Sequence, residues 1–228
     1  DGVDINTVTS AGIAILNAGL SPRDEGETHT FTLRAPDSST TRTVTLTAGK
    51  VTKVPVQNVQ PIPTPTGTVG YMVFNDHIPT SETALINAFT FFKNNAVSDL
   101  ILDLRYNGGG LLAIASETAY MIAGPLQTAG RTFEALKFND KHPTTNPVTG
   151  EPPTPFYNTT SGRFSAAPGL SLPTLNLPRV FVITGPDTCS ASESIINGLR
   201  GVDVEVIQIG STTCGKPYGF YAWDNCGT

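Results

Sequence analysis

Asp99-Leu100-Ile101-Leu102-Asp103-Leu104-Arg105-Tyr106-Asn107-Gly108-Gly109-Gly110-Leu111-Leu112 is the stretch that decides the fold. Residues 99–104 read as one buried strand, a short apolar run that stops at a turn running from Arg105 to Gly110. A helical stretch from Leu111 to Ile122 follows. Working outward, Gly70 to Phe74 forms another strand. The spacing predicts a helix over Ser81–Asn94, with Ala84, Leu85, Ala88, Phe91 and Phe92 sharing a face. Downstream, Arg179–Ile183 is a strand, Gly185-Pro186-Asp187 a tight turn, Ser190–Leu199 a helix and Val204–Ile209 a further strand. Strand–helix–strand alternation gives an α/β class with a mostly parallel sheet.

Three regions are expected in the 228 residues. Residues 1–53 form a small β-rich module. In it a helical stretch near Thr7–Ala18 precedes two Thr-rich alternating runs, Thr28–Arg34 and Arg42–Thr47, that predict a hairpin. Pro55, Pro61, Pro63 and Pro65 mark residues 54–66 as an extended linker. Residues 67–228 are the main domain, and within it residues 123–177 are long, weakly patterned and rich in Pro, Thr and Asn. A segment of that length is expected to act as a lid or an oligomer contact.

Charged residues are only 14% of the chain and the net charge is −5, with no basic stripe, which argues against a nucleic-acid partner. No apolar run reaches the roughly 18 residues of a membrane helix. His29, His77 and His142 are scattered and no CxxC pair occurs, so neither a metal site nor a cofactor is expected. The three cysteines are Cys189, Cys214 and Cys226. A Cys214–Cys226 disulfide would fix the intervening loop in an oxidising compartment, with two unpaired thiols as the alternative.

Three elements carry chemistry, each just beyond the C-terminal end of a strand, where open α/β sheets place their ligands. The glycine run lets backbone approach a substrate closely and offers N–H groups to a developing oxyanion. Its plainer reading is a turn capping the next helix. In Cys189-Ser190-Ala191-Ser192-Glu193, Ser190 and Glu193 fit a capping box. A serine at a helix start also sits in positive potential that favours its alkoxide. Lys216 lies in the loop Gly210–Gly219, flanked by Gly215 and Pro217. An ordinary lysine titrates near about 10.4 and is charged at neutral pH, so a base role requires apolar surroundings. Tyr218, Phe220 and Trp223 are the neighbours expected to supply them. No histidine lies near Cys189 in sequence, which disfavours a cysteine nucleophile.

Together, Asp-Leu-Arg-x-Asn-x-Gly-Gly-Leu-Leu, Ser-Ala-Ser-Glu and a Gly-Lys pair resemble the C-terminal-processing (tail-specific) serine peptidases of family S41. Here these are Asp103–Leu112, Ser190–Glu193 and Gly215-Lys216, with Lys216 26 positions after Ser190. The resemblance covers roughly Thr66 to Thr228. It implies a ClpP/crotonase-like α/β core and makes residues 1–53 a partial PDZ-like module. It also implies Ser190 as nucleophile, Lys216 as general base, and the N–H groups of Gly109 and Ala191 as oxyanion donors, with Gly108 or Gly110 as fallback. The substrate would be a polypeptide, cut near its C-terminus.

The same resemblance implies a periplasmic, cell-surface or secreted location, with membrane association through an N-terminal anchor ahead of Asp1, and a core continuing beyond Thr228. It leaves the oligomeric state open. Phe220 stands where the family often has a glutamine that orients the lysine, which favours a second reading, a weakly active or inactive ligand- or peptide-binding relative. A crotonase-type acyl-CoA enzyme is a third. Against it, the Ser–Lys spacing would be coincidence and no basic patch awaits CoA phosphates.

Overall fold

The computed structural model describes residues 9–142, 146, 150 and 152–219. The chain divides after Lys53 into two compact units, at the boundary expected from sequence. In the first, helix α1 (Ser10–Leu20) starts at Thr9, whose Oγ1 accepts the Gly12 N–H. Strands β1 (Thr28–Arg34) and β2 (Thr41–Thr47) form the expected antiparallel hairpin, and Thr30 faces Thr45 with hydroxyls 3.0 Å apart.

The second unit is built on a five-stranded sheet of order β3-β4-β5-β8-β9. Its strands are β3 (Val56–Thr64), β4 (Gly67–Phe74), β5 (Val97–Asp103), β8 (Arg179–Thr184) and β9 (Glu205–Gly210). From β4 to β9 all pairings are parallel, and β3 adds antiparallel to β4. Residues 54–66 are therefore not a linker. Prolines that suggested an unpaired segment are tolerated because β3 is an edge strand, where a missing N–H costs no ladder bond on the outer side.

Helix α2 (Ser81–Asn94) spans the predicted residues, buries Leu85, Phe89 and Phe92, and joins β4 to β5. Helices α3 (Leu112–Ala123) and α5 (Ala191–Arg200) begin one residue later than their predicted counterparts. Leu100, Leu102, Leu104, Val180 and Val182, spaced by two and so on one face of their strands, are fully enclosed, while Ile101, Phe181 and Ile183 on the other face are half-buried.

Residues 123–177 carry more structure than the sequence pattern suggests. They hold a short helix α4 (Pro125–Thr128) and the paired strands β6 (Thr132–Glu134) and β7 (Thr154–Pro155). Phe133 and Phe156 meet edge to face, and main-chain bonds from Leu175 and Leu177 to Met121 and Ile122 tie the segment's end to α3.

Candidate active site

The C-terminal ends of the four parallel strands supply the site. β4 leads to His77, β5 to Asn107–Gly110, β8 to Ser190, and β9 to the loop that carries Lys216. Asn107 joins the first three. It is fully buried, its Nδ2 donates to the Phe74 carbonyl, and its Oδ1 accepts both the Gly109 N–H and His77 Nδ1–H. Its own carbonyl accepts the Cys189 N–H at 3.1 Å and the Ser192 hydroxyl at 3.0 Å. Thr188 adds a second stitch between the β8 and β5 loops through its bond to the Leu104 carbonyl. Burial pushes His77 down to about 4, so at neutral pH the imidazole is uncharged and donates through Nδ1.

Ser190 is the N-cap of α5 and adopts φ 54°, ψ −116°, a left-handed conformation that non-glycine residues seldom take. This sharp turn between strand and helix holds its half-buried side chain at the sheet edge. Gly109, at φ 96°, lies directly against it. A Cβ there would come within 2.8 Å of Ser190 Cβ and 2.9 Å of the Ala191 nitrogen. The sequence predicts close approach of this backbone to a substrate; within the structure it is the serine turn that Gly109 lies against.

Ala191, the first residue of α5, has no intrahelical acceptor for its N–H, and none is found among the described residues. The Gly109 N–H, the expected second oxyanion donor, is already given to Asn107 at 3.0 Å. The Gly109 carbonyl accepts the His77 N–H, so the next N–H, that of Gly110, points the opposite way across the trans peptide. It has no acceptor among the described residues. The Ala191 and Gly110 N–H groups are therefore without an acceptor among the described residues, and so is that of Gly108, the other fallback position.

The Lys216 loop is held to the serine turn by a main-chain bond from the Cys214 N–H to the Thr188 carbonyl and by two further ties. Cys214 forms a disulfide with Cys189, not with Cys226, at a Cα separation of 5.3 Å. Cys226 itself lies outside the described residues. Sequence proximity favoured the shorter span, but the parallel pairing of β8 with β9 carries Cys214 back beside the residue preceding Ser190. The second tie is Glu193, which accepts the N–H groups of Ser190, Gly215 and Lys216 and the Thr213 hydroxyl. Burial opposes ionisation of Glu193, but these donors outweigh it and hold the carboxyl below its usual range.

The Lys216 side chain is exposed, and no hydrogen bond joins it to Ser190 in the structure. Phe220 and Trp223, expected to shield it, lie outside the described residues. Beside the glycine run, Asp103 is buried and paired with Arg105 at 2.7 Å, with the Tyr71 hydroxyl donating to the same carboxylate. Burial raises Asp103, yet the Arg105 and Tyr71 hydrogen bonds prevail and keep it ionised. A cavity of about 480 Å³ between α3, α4 and the β6–β7 pair contains none of these residues. Among the described residues no three His, Cys, Asp or Glu side chains gather as a metal site, and no helix is long and apolar enough to cross a membrane.

The family model for peptidase family S41 matches residues 68–219, which contain every element just described. The chain belongs to peptidase family S41. Among solved structures, it resembles a protein named as an S41 protease from Bacteroides fragilis NCTC 9343, at 25% identity and a TM-score of 0.61, covering 84% of this chain and 49% of that one. It also resembles the photosystem II D1 C-terminal processing protease, at 25% identity and a TM-score of 0.48, covering 85% of this chain and 46% of that one. The chain thus spans about half the length of the structures it matches. No curated protein matches it.

Within this S41 core, the sequence located the serine turn, the glycine run and the lysine loop, and folding places all three at one sheet edge. It did not reveal what connects them. Asn107 and Glu193 stood inside the quoted motifs, and a polar residue at a fixed place in each motif was the available signal. His77 gave none, because its partner Asn107 is thirty positions away.

Proposed function

We propose that the chain is the catalytic core of a serine endopeptidase in which Ser190 is the nucleophile and Lys216 the general base. The observation that carries this reading is the strained helix-start serine seated against Gly109, with the lysine loop fastened to the same turn by the Cys189–Cys214 disulfide and by Glu193. Ser190 Oγ attacks the scissile carbonyl while its proton passes to the Lys216 amine. The resulting oxyanion is received by the Ala191 and Gly110 N–H groups, fixed dipoles that need no reorganisation. Collapse expels the amine, which takes the proton back from Lys216, and water then hydrolyses the acyl-enzyme.

The substrate is an extended polypeptide, cut near its C-terminus. The N-terminal unit is a partial PDZ-like module that receives such tails. A disulfide beside the nucleophile suits an oxidising setting, in keeping with a periplasmic, cell-surface or secreted protein. A membrane anchor ahead of the N-terminal unit fits the same picture.

The exposed Lys216 side chain favours one other reading, a weakly active or inactive relative that binds peptides. Incubating the full chain with an unstructured polypeptide, beside Ser190→Ala and Lys216→Ala, separates the two. Cleavage abolished in both variants is the peptidase result. Binding without cleavage by the parent protein is the other.

A further inference from the structure

A capping box asks little of its glutamate, one bond back to the N-cap N–H. Glu193 makes that bond to Ser190 at 2.8 Å, but its other three donors come from a loop 20 to 23 positions further on. Oε1 accepts the Thr213 hydroxyl at 2.7 Å and the Gly215 N–H at 2.9 Å, while Oε2 accepts the Ser190 and Lys216 N–H groups at 2.8 and 2.9 Å. An ionised carboxylate has about four lone-pair sites, and here four donors fill them. Nothing is left over to bind the Lys216 amine.

We propose that Glu193 is a positioning residue, an acceptor-only clamp that fixes the main chain of the base against the main chain of the nucleophile. The inference rests on the Ser190–Lys216 reading given above and deepens it. The clamp has a firm base, since Ile195, Ile196 and Leu199 of the same helix are buried in the core. The loop it holds is mostly exposed and packs little of itself. An amide cannot replace this carboxylate, because the NH₂ of a glutamine would face two of the four donors.

The test uses the full chain and an alkyl fluorophosphonate. In labelling, a Ser190 Oγ–phosphorus bond forms, the phosphorus–fluorine bond breaks, fluoride leaves and the serine proton goes to Lys216. Glu193→Gln is expected to label about 100-fold more slowly, the scale of loss that a misplacement near 1 Å produces. With an unstructured polypeptide it loses kcat to the same degree, while KM stays within about threefold, because catalytic alignment changes and substrate contact does not. A residue that only caps its helix would lower the melting temperature and leave kcat of the folded fraction intact.

Labelling of Glu193→Gln within about threefold of the parent overturns the inference, as does a rise in KM at unchanged kcat. Should Glu193→Gln fail to fold, Thr213→Val removes one donor and keeps the charge. Labelling slowed about fivefold then supports the clamp, and an unchanged rate overturns it. A parent protein that neither labels nor cleaves fails the Ser190–Lys216 reading itself, a different result from an active parent whose Glu193→Gln variant is equally active.

Discussion

The two halves of the site are supported very differently. On the Ser190 side, the serine stands on a helix with a buried inner face, and its turn is stitched by Thr188 and by Asn107, both fully enclosed. On the Lys216 side, residues 214–219 are exposed, and they are tied through one carboxylate, one disulfide and the Cys214 N–H bond to the Thr188 carbonyl. The serine is placed by the core, whereas the lysine is placed by a few discrete links. Perturbing the first half should therefore cost both fold and activity, and perturbing the second should cost activity more than fold.

The strongest way to break this contrast is Gly109→Ala. The new methyl meets the Cys189 carbonyl oxygen at 2.7 Å at a backbone φ of 96°, so the serine turn must move. Turnover is expected to fall by about 1,000-fold, as for loss of oxyanion geometry, with destabilisation of about 2–4 kcal/mol measured by denaturant unfolding. Asn107→Ala strips the bonds to Phe74, His77 and Gly109 and should destabilise by about 3 kcal/mol, again with lost activity. Urea titration and a peptide-cleavage assay check both.

Reducing Cys189–Cys214 with a dithiol tests the other half. The closed span is 25 residues, for which chain entropy gives about 3 kcal/mol of global stability. Because Glu193 and the Cys214 N–H bond to Thr188 still grip the loop, the folded protein should keep a measurable fraction of its activity, about one tenth, as befits loss of one of three ties. Complete and reversible loss on reduction would mean that the carboxylate cannot hold the loop alone.

The smallest effect is expected away from both halves. Glu117 on α3 is buried, and burial with the neighbouring Glu82 carboxyl pushes it up to about 8. Between its unfolded value of about 4.5 and 8 the native state holds a proton that the unfolded chain has released, so stability falls as pH rises through that window. Glu117→Gln removes this dependence. It should melt higher than the parent at pH 8.5 and show no such gain at pH 4.5, with peptide turnover at pH 7 unchanged.

Much of this was legible in the sequence because the signals were local. The apolar run before Asn107, the periodicity of Ser81–Asn94 and the proximity of Ser190 to a strand end each follow from a few adjacent residues. Val56–Thr64 misled because its prolines report a missing N–H and not where the strand sits in the sheet. The Cys189–Cys214 pairing and the shared acceptor at Glu193 depend on two parallel strands delivering distant loops to one edge, and no spacing rule encodes that. The sequence pointed to Gly109 as a free donor, but Asn107 claims its N–H through a local turn that the glycine run alone does not reveal.

The prolines of β3 carry one last consequence. A bare sheet margin invites any extended chain to join as an extra strand. Pro61 and Pro63 sit two positions apart on the outermost strand, opposite Gly70 and Thr68, and withhold two amide hydrogens from any would-be neighbour. In this way the scaffold discourages strand addition along this margin.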